Sequence, residues 1–323
     1  MRVIITVTPN PAIDVTLEVE RLELGEVNRT TDKHRDPAGK GINVARALSK
    51  NKHQTIAVFP ADAVNGSWIV RALAEAGVET FTTPMIGEVR NNYTIVDGSG
   101  ETTKINEPGP VLTPAEVDAL LEKVEWRLDD HPSWLVAAGS LPRGVDADFL
   151  VELGNRANAK NVRFAVDTSG ASLARITGAG TPDLIKPNLE ELSELVGREL
   201  ETVGDVVDAA RSVLPNGDSL ISLGENGALL VTPDTVLWAG HPPVTVDSTV
   251  GAGDSALAGY LSVSSKGEFP SIHHAALATA VAWGSAAVTL PATTVPGPND
   301  IDVARVSVID NPSVQSKIKE LTA

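Results

Sequence analysis

The chain of 323 residues contains no cysteine. A disulfide framework and a thiolate metal site are therefore closed to it, which fits a reducing compartment. The N-terminus, MRVIITVTPNPAID, lacks the basic start and small-residue cleavage site of a signal peptide. It reads as a short strand and a Pro/Asn turn, so the expected location is the cytoplasm. Long hydrophobic runs are missing too. The least polar stretch, 275–292, is rich in Ala, Gly, Ser and Thr and broken by Pro291, which predicts a buried helix and no membrane span. Basic residues are scarce: 26 Lys+Arg against 42 Asp+Glu leave a formal charge of -16 at pH 7. That balance disfavours nucleic acid, whose affinity comes largely from Lys and Arg neutralising phosphates. Any phosphate ligand must be met by local devices. No Gly-x-x-x-x-Gly-Lys-Ser/Thr occurs, which excludes a P-loop enzyme. Without an internal repeat, low-complexity tract or long linker, 1–323 is expected to form a single domain.

What is present is alternation. Apolar runs of strand length recur at 3–8, 55–59, 134–138, 162–166, 183–185 and 219–222. Helix-period segments lie at 42–50, 67–76, 114–128, 147–159, 189–196 and 203–214, mostly between those runs. The pattern predicts an α/β fold, a doubly wound and mostly parallel sheet with helices on both faces. Ligands then gather at the carboxyl ends of the strands. Two pairs, 15–20 with 27–33 and 91–97 with 102–106, instead resemble polar-alternating hairpins, the second turning at DGSG, 97–100. They could form a small β-sheet lid or dimer surface standing off the body, from segments at about 12–37 and 88–107, or serve as ordinary edge hairpins.

VDSTVGAGDSALAG, 246–259, reads as a strand, a tight turn and the first turn of a helix. Helix N-termini carry unpaired N–H groups and partial positive charge, so glycines there admit an anion. Three readings compete. Gly251-x-Gly253-x-x-Ala256 formally satisfies the dinucleotide fingerprint, with Glu268 near the spacing of a ribose-binding acid, but it falls late in the chain. Small residues could instead merely let a helix pack closely. The third reading is an anion hole for a transferring phosphoryl group, with Asp254 as base for a sugar hydroxyl. Four further stretches lie at predicted strand ends or glycine turns: Asp36 to Ala45, Gly139 to Pro142, Lys186 to Glu191, and Ser222 to Gly227.

With TPNPAID, AGKGINVAR, GSLPRGV, KPNLEEL, SLGENGAL and STVGAGDS in this order, nearly the whole chain resembles the ribokinase-like (PfkB) sugar kinases, in their 1-phosphofructokinase and tagatose-6-phosphate kinase branch. The resemblance implies a ribokinase-like fold, ATP and Mg²⁺, and a role for each matching residue. Gly251, Ala252 and Gly253 would hold the γ-phosphoryl oxygens, and Asp254 would be the general base, a weak one beside a helix N-terminus. Asp14 would accept sugar hydroxyls, and Gly39, Lys40, Gly41 and Asn43 would cradle the sugar. Arg90 would grip the substrate's existing phosphate, helped by Ser140 and less directly by Lys104. Asn188 and Glu191 would order Mg²⁺ around the nucleotide phosphates, with Lys186 supporting the phosphate tail. Ser222, Gly224, Gly227 and Ser248 would line the ATP side, with Gly284 and Ser285 near adenine. Local pattern alone reads Asp14 as a turn acid, Arg90 and Arg143 as surface charges, Glu191 as a helix N-terminal acid and the glycines as turns. The adjacent His273 and His274 lack ligand spacing, and the tryptophans read as core or interface residues.

The minor 6-phosphofructokinase of this fold commonly has glycine where Lys40 stands, and a nucleotide-linked lysine where Val27 stands. Both departures favour the other branch. Ser248 replaces the aspartate of the wider family, which bears on a monovalent-cation site. The resemblance thus implies ATP-dependent phosphorylation of fructose 1-phosphate to fructose 1,6-bisphosphate. Tagatose 6-phosphate or fructose 6-phosphate kinase activity is the nearby alternative, and a non-catalytic sugar-phosphate or nucleotide sensor the distant one. A homodimer through the lid is expected, since a small sheet with an apolar face is poorly stable alone.

Overall fold

A computed structural model describes residues 3–265 and 272–322. A ten-stranded sheet forms its centre, in the order β14-β13-β12-β11-β10-β9-β8-β1-β4-β5. Its strands are β1 (Ile4–Val7), β4 (Thr55–Ala61), β5 (Glu79–Pro84), β8 (Trp134–Ala138), β9 (Arg163–Asp167), β10 (Leu184–Ile185), β11 (Asp218–Ser222), β12 (Ala228–Val231), β13 (Val236–Gly240) and β14 (Ser307–Asp310). From β5 to β11 neighbours are parallel, and from β11 to β14 they are antiparallel. The chain leaves β1 first toward β4 and later toward β8, so the sheet reverses its winding at β1. Such a switch point opens a crevice at the strands' carboxyl ends.

Short buried strands between helices explain the two-sided core. In β1, Ile4 packs among residues of α1 (Lys40–Lys50), α8 (Ala252–Ser264) and α9 (His273–Ala287). Ile5 and Val7 join the opposite layer, formed by α3 (Pro114–Leu128), α4 (Asp148–Ala159) and α5 (Gly170–Ala179). The helices α6 (Leu189–Val196) and α7 (Val203–Val213) cover the antiparallel side, and α2 (Asn65–Glu75) covers β4. The low-polarity segment forms α9, ending at Ala287. Among the described residues no helix is long and apolar enough to cross a membrane.

A separate four-stranded sheet, order β3-β2-β6-β7, comprises β2 (Ala12–Val19), β3 (Thr30–Ala38), β6 (Arg90–Val96) and β7 (Thr102–Asn106). The second predicted hairpin falls in place. In the first, the strand expected at 27–33 begins later: Val27 is in a loop and 79% exposed, while β3 runs to Ala38 and pairs it with Ala12. Pro37 is tolerated because β3 is an edge strand. This sheet does not stand wholly off the body, since buried Ile13 and Val15 pack with Ile42, Ile69 and Leu73.

A further correction concerns the segment before Gly251. No strand adjoins the turn: β13 ends at Gly240, and 241–250 has no regular structure. Pro242 and Pro243 remove the amides that a ladder would need. Glu268 lies outside the described residues.

Candidate active site

Close packing brings α1 to the end of β1. A Cβ at Gly41 would stand 2.5 Å from Thr8 Oγ1 and 2.9 Å from the Val7 carbonyl oxygen, so only glycine lets the helix begin there. Gly39, at φ 120°, would meet Thr8 Cγ2 at 2.6 Å. Both glycines therefore have a packing reason. Its consequence is to set Lys40 and Asn43 over the switch point.

From the other side comes α8. Gly251 caps it at φ 77°, in the left-handed region, with open space where a side chain would project. The first-turn amides that follow, of Ala252, Gly253 and Asp254, have no partner within a regular helix. Asp254 is 6% exposed and its Oδ2 accepts from Asn43 Nδ2 at 2.8 Å. A Cβ on Gly253 would lie 3.0 Å from Lys186 Nζ.

Beneath Asp254 lies a carboxylate that sequence reasoning missed. Asp167 ends β9 with no solvent exposure, its Oδ1 2.7 Å from Lys40 Nζ and its Oδ2 3.1 Å from Lys186 Nζ. The Lys40 contact is a hydrogen bond; the Lys186 contact is an ion pair with Asp167 Oδ2 off the hydrogen-bonding direction. Burial alone would raise the Asp167 pKa, but Lys186 and Lys40 hold it below the usual carboxylate range. For Lys40, Asp167 overcomes the opposite pull of burial and raises the pKa. Burial, reinforced by the Asp167 charge, pushes the Asp254 carboxyl up to about 6, against Asn43, Lys40 and Lys186. Desolvation thus works against the weak base expected from the helix terminus. An acid closing a parallel strand, in FAVDTSG, was the available signal.

The small sheet supplies the neighbouring wall. Asp14 pairs in register with Asp36 on β3 and Asn92 on β6, and its Oδ1 accepts from Asn92 Nδ2 at 2.9 Å. Burial raises its pKa. Arg90 lies on the rung beside Ala12, with Nη1 donating to the Glu107 carbonyl at 2.9 Å. The exposed Ser140 follows β8 and accepts from Asn10 Nδ2 at 3.2 Å. Lys104, exposed on β7, pairs with Thr94, farther out along β6 than Asn92. Arg143 is exposed, yet its guanidinium donates to the Gly109 carbonyl at 3.0 and 3.1 Å.

On the opposite wall, Asn188 and Glu191 form a capping box at the start of α6. Asn188 Oδ1 accepts from the Glu191 amide at 2.7 Å, and Glu191 Oε2 from the Asn188 amide at 2.9 Å. Asn188 also bridges to Ser222 at the end of β11. Gly224 and Gly227 bound the turn after β11, where a Gly227 Cβ would collide with the Ala239 carbonyl oxygen. Ser248 Oγ accepts from the Val250 amide at 3.2 Å. Gly284 lets α9 cross the first turn of α8, its ideal Cβ 3.4 Å from the Ala252 carbonyl oxygen, and Ser285 is the next residue on α9. His273 faces Asp218 while His274 faces Asp310, so the pair diverges. Trp134 and Trp238 are core residues, but Trp126 is 56% exposed.

Residues 7–300 match the family described as pfkB family carbohydrate kinase. Over 285 residues the chain is 34% identical to a 1-phosphofructokinase of Rhodobacter capsulatus, covering 87% of this chain and 90% of that one. It is 37% identical to the ATP-dependent 6-phosphofructokinase isozyme 2 of Escherichia coli strain K12, over 78% of this chain and 82% of that one. A solved structure of Escherichia coli phosphofructokinase-2 in complex with potassium superposes with a TM-score of 0.86 at 33% identity, covering 93% of this chain and 97% of that one. Doubly wound sheet, small second sheet and matching sequence agree: this chain belongs to the pfkB family of carbohydrate kinases.

Proposed function

We propose that the enzyme transfers the terminal phosphoryl group of ATP to the free primary hydroxyl of fructose 1-phosphate, giving fructose 1,6-bisphosphate. The observation that carries this reading is Asp254 buried at the start of α8, beside open helix amides and bonded to Asn43 of the glycine-rich α1. Gly251, Ala252 and Gly253 present amides to the migrating phosphoryl oxygens, where charge develops. Asp254 Oδ orients the acceptor hydroxyl and takes its proton. A group titrating near 6 is ionised at neutral pH and basic enough for that task.

Asp14, Gly39, Gly41 and Asn43 hold the sugar, and Arg90 with Ser140 holds its first phosphate. Lys40 and Lys186 neutralise the transferring group from two sides while Asp167 keeps both in place. Among the described residues no three acids or histidines converge on a metal position. The residues present fit an Mg²⁺ that would arrive on the nucleotide, with Glu191 offering its Oε1, because the capping bond uses Glu191 Oε2; Asn188 Oδ1 is taken by the Glu191 amide, which leaves its Nδ2 as a donor to phosphate oxygen or metal-bound water. Such an ion supplies charge neutralisation on the phosphate oxygens. Ser222, Gly224, Gly227, Ser248, Gly284 and Ser285 flank the nucleotide side.

Fructose 6-phosphate and tagatose 6-phosphate present similar outlines when the ring is turned end for end. Lys40 supports the 1-phosphate reading. Steady-state kinetics on the three sugars decide: fructose 1-phosphate should give the highest kcat/KM, and a value tenfold below either rival sinks the choice. The lid, with Leu24 and Val27 exposed on the β2–β3 loop and Ile105 exposed on β7, is proposed as a homodimer surface in the cytoplasm, testable by molecular mass at micromolar concentration.

A further inference from the structure

Arg90 has two carboxylates near its backbone, and neither binds its guanidinium. Its Nε is buried without a hydrogen-bond partner among the described residues. Asp62, just after β4, accepts through Oδ1 from the amides of Val64 at 2.7 Å and Asn65 at 2.8 Å. Through Oδ2 it accepts from Gly66 at 3.1 Å and Val89 at 2.8 Å. Asn65 completes the hold on Val89 by donating its Nδ2 to the Val89 carbonyl at 3.0 Å. The residue after Arg90 is held in the same manner. Glu107 Oε2 accepts from the Asn91 amide at 2.8 Å, and the Glu107 amide donates to the Asn91 carbonyl at 3.2 Å.

The turn that makes this possible is narrow. A Cβ on Gly66 would stand 2.6 Å from Ala61 Cβ and 2.7 Å from its Cα. Val89 itself is 1% exposed, so the peptide before Arg90 is anchored in the body and not in the lid. Partial burial works against the Asp62 charge, but its four amide donors outweigh that and hold its carboxyl below the usual range. Asp62 thus has its charge taken up by four peptide amides, and Glu107 commits one oxygen to the Asn91 amide. The guanidinium feels the Asp14 and Glu107 charges without a hydrogen bond to either carboxylate, and its Nε stays open as a donor.

We propose that Asp62 and Glu107 are positioning residues for Arg90, bracketing its backbone so that the guanidinium meets the substrate's own phosphate already oriented and not paired with a protein carboxylate. The proposal rests on the reading that Arg90 holds that phosphate. Preorganised donors lose less on binding than mobile ones, so the effect belongs to the sugar-phosphate KM.

The test uses the full-length enzyme with fructose 1-phosphate and ATP. Asp62→Asn replaces an acceptor oxygen by a donor facing amide donors, and should raise the sugar-phosphate KM about tenfold while kcat and the ATP KM stay within about twofold. Asn65→Ala, which spares the Asp62 carboxylate, should raise the same KM about threefold and guards against misfolding of the first variant. Glu107→Ala should act likewise and Glu107→Gln, retaining an acceptor oxygen, should restore it. Arg90→Ala must raise the sugar-phosphate KM on its own, and in that background Asp62→Asn should add nothing. If Arg90→Ala leaves the KM unchanged, the phosphate reading of Arg90 fails and the proposal falls with it. If Arg90→Ala raises the KM but Asp62→Asn and Glu107→Ala do not, or if Asp62→Asn remains additive to Arg90→Ala, the bracket alone is overturned.

Discussion

Asp254→Asn should make the ligand-free enzyme more stable while disabling it. The carboxyl titrates near 6 in the folded chain against an ordinary 3.8, so the native state holds its proton more tightly than the unfolded one. Between these values the native state binds more protons, and stability falls as pH rises. Above about pH 6 the whole penalty is present. At 1.36 kcal/mol per unit the displacement amounts to about 3 kcal/mol, an upper figure for a buried group among other charges. Asparagine removes the ionisation and keeps an acceptor for Asn43 Nδ2, but its own amide needs a partner, so a gain of about 1–3 kcal/mol is expected at pH 7.5. Guanidinium unfolding of both proteins at pH 7.5 and 4.5 reads it directly. The advantage of the variant should shrink by more than half at the lower pH, where the wild-type group is largely protonated. In parallel kcat should fall by orders of magnitude with a modest change in sugar KM. A variant no more stable at pH 7.5, or equally advantaged at both pH values, would refute the burial argument.

Two further outcomes test the frame around that carboxylate. Gly41→Ala places a methyl 2.5 Å from Thr8 Oγ1 and should cost about 1–3 kcal/mol by thermal denaturation, with loss of activity as α1 shifts. Gly178→Ala, in α5 with nothing within 4 Å, is the control and should stabilise by up to about 1 kcal/mol. Glu191→Gln preserves an acceptor for the Asn188 amide, so stability should hold while the Mg²⁺ concentration for half-maximal rate rises severalfold. An unchanged Mg²⁺ dependence removes Glu191 from the metal.

The parallel half of the fold was legible because buried strands such as IITV and WLVAA are uninterrupted apolar runs between helix-period segments. β12 and β13 escaped notice since ALLV and VLWAG are short, close together and without a helix between them, and β14 carries Ser307 and Asp310 in an exposed edge. The glycine motifs have a packing reason that the sequence alone does not separate from a ligand reason. Gly39 and Gly41 are required by Thr8 and Val7, so their pattern reports packing that happens to aim Lys40 and Asn43 inward. Asp167 could not be ranked from its segment alone. Its importance comes from Lys40, 127 positions earlier in the chain, and Lys186, which only the sheet order brings to it.

That convergence also explains how an acid can be buried beside a phosphate site. Lys40, Lys186, Asp167 and an ionised Asp254 carry two positive and two negative charges, so these four groups balance one another. Buried charges persist only when balanced and bonded, and in this set Asp254 is the member that burial and Asp167 disfavour most. Anionic phosphate entering between the lysines adds negative charge close to Asp254. It therefore raises the proton affinity of that carboxylate at the moment when an acceptor hydroxyl must give up its proton. In the proposed reaction Asp167 would act on both lysines and on Asp254 through charge, without needing to touch either substrate.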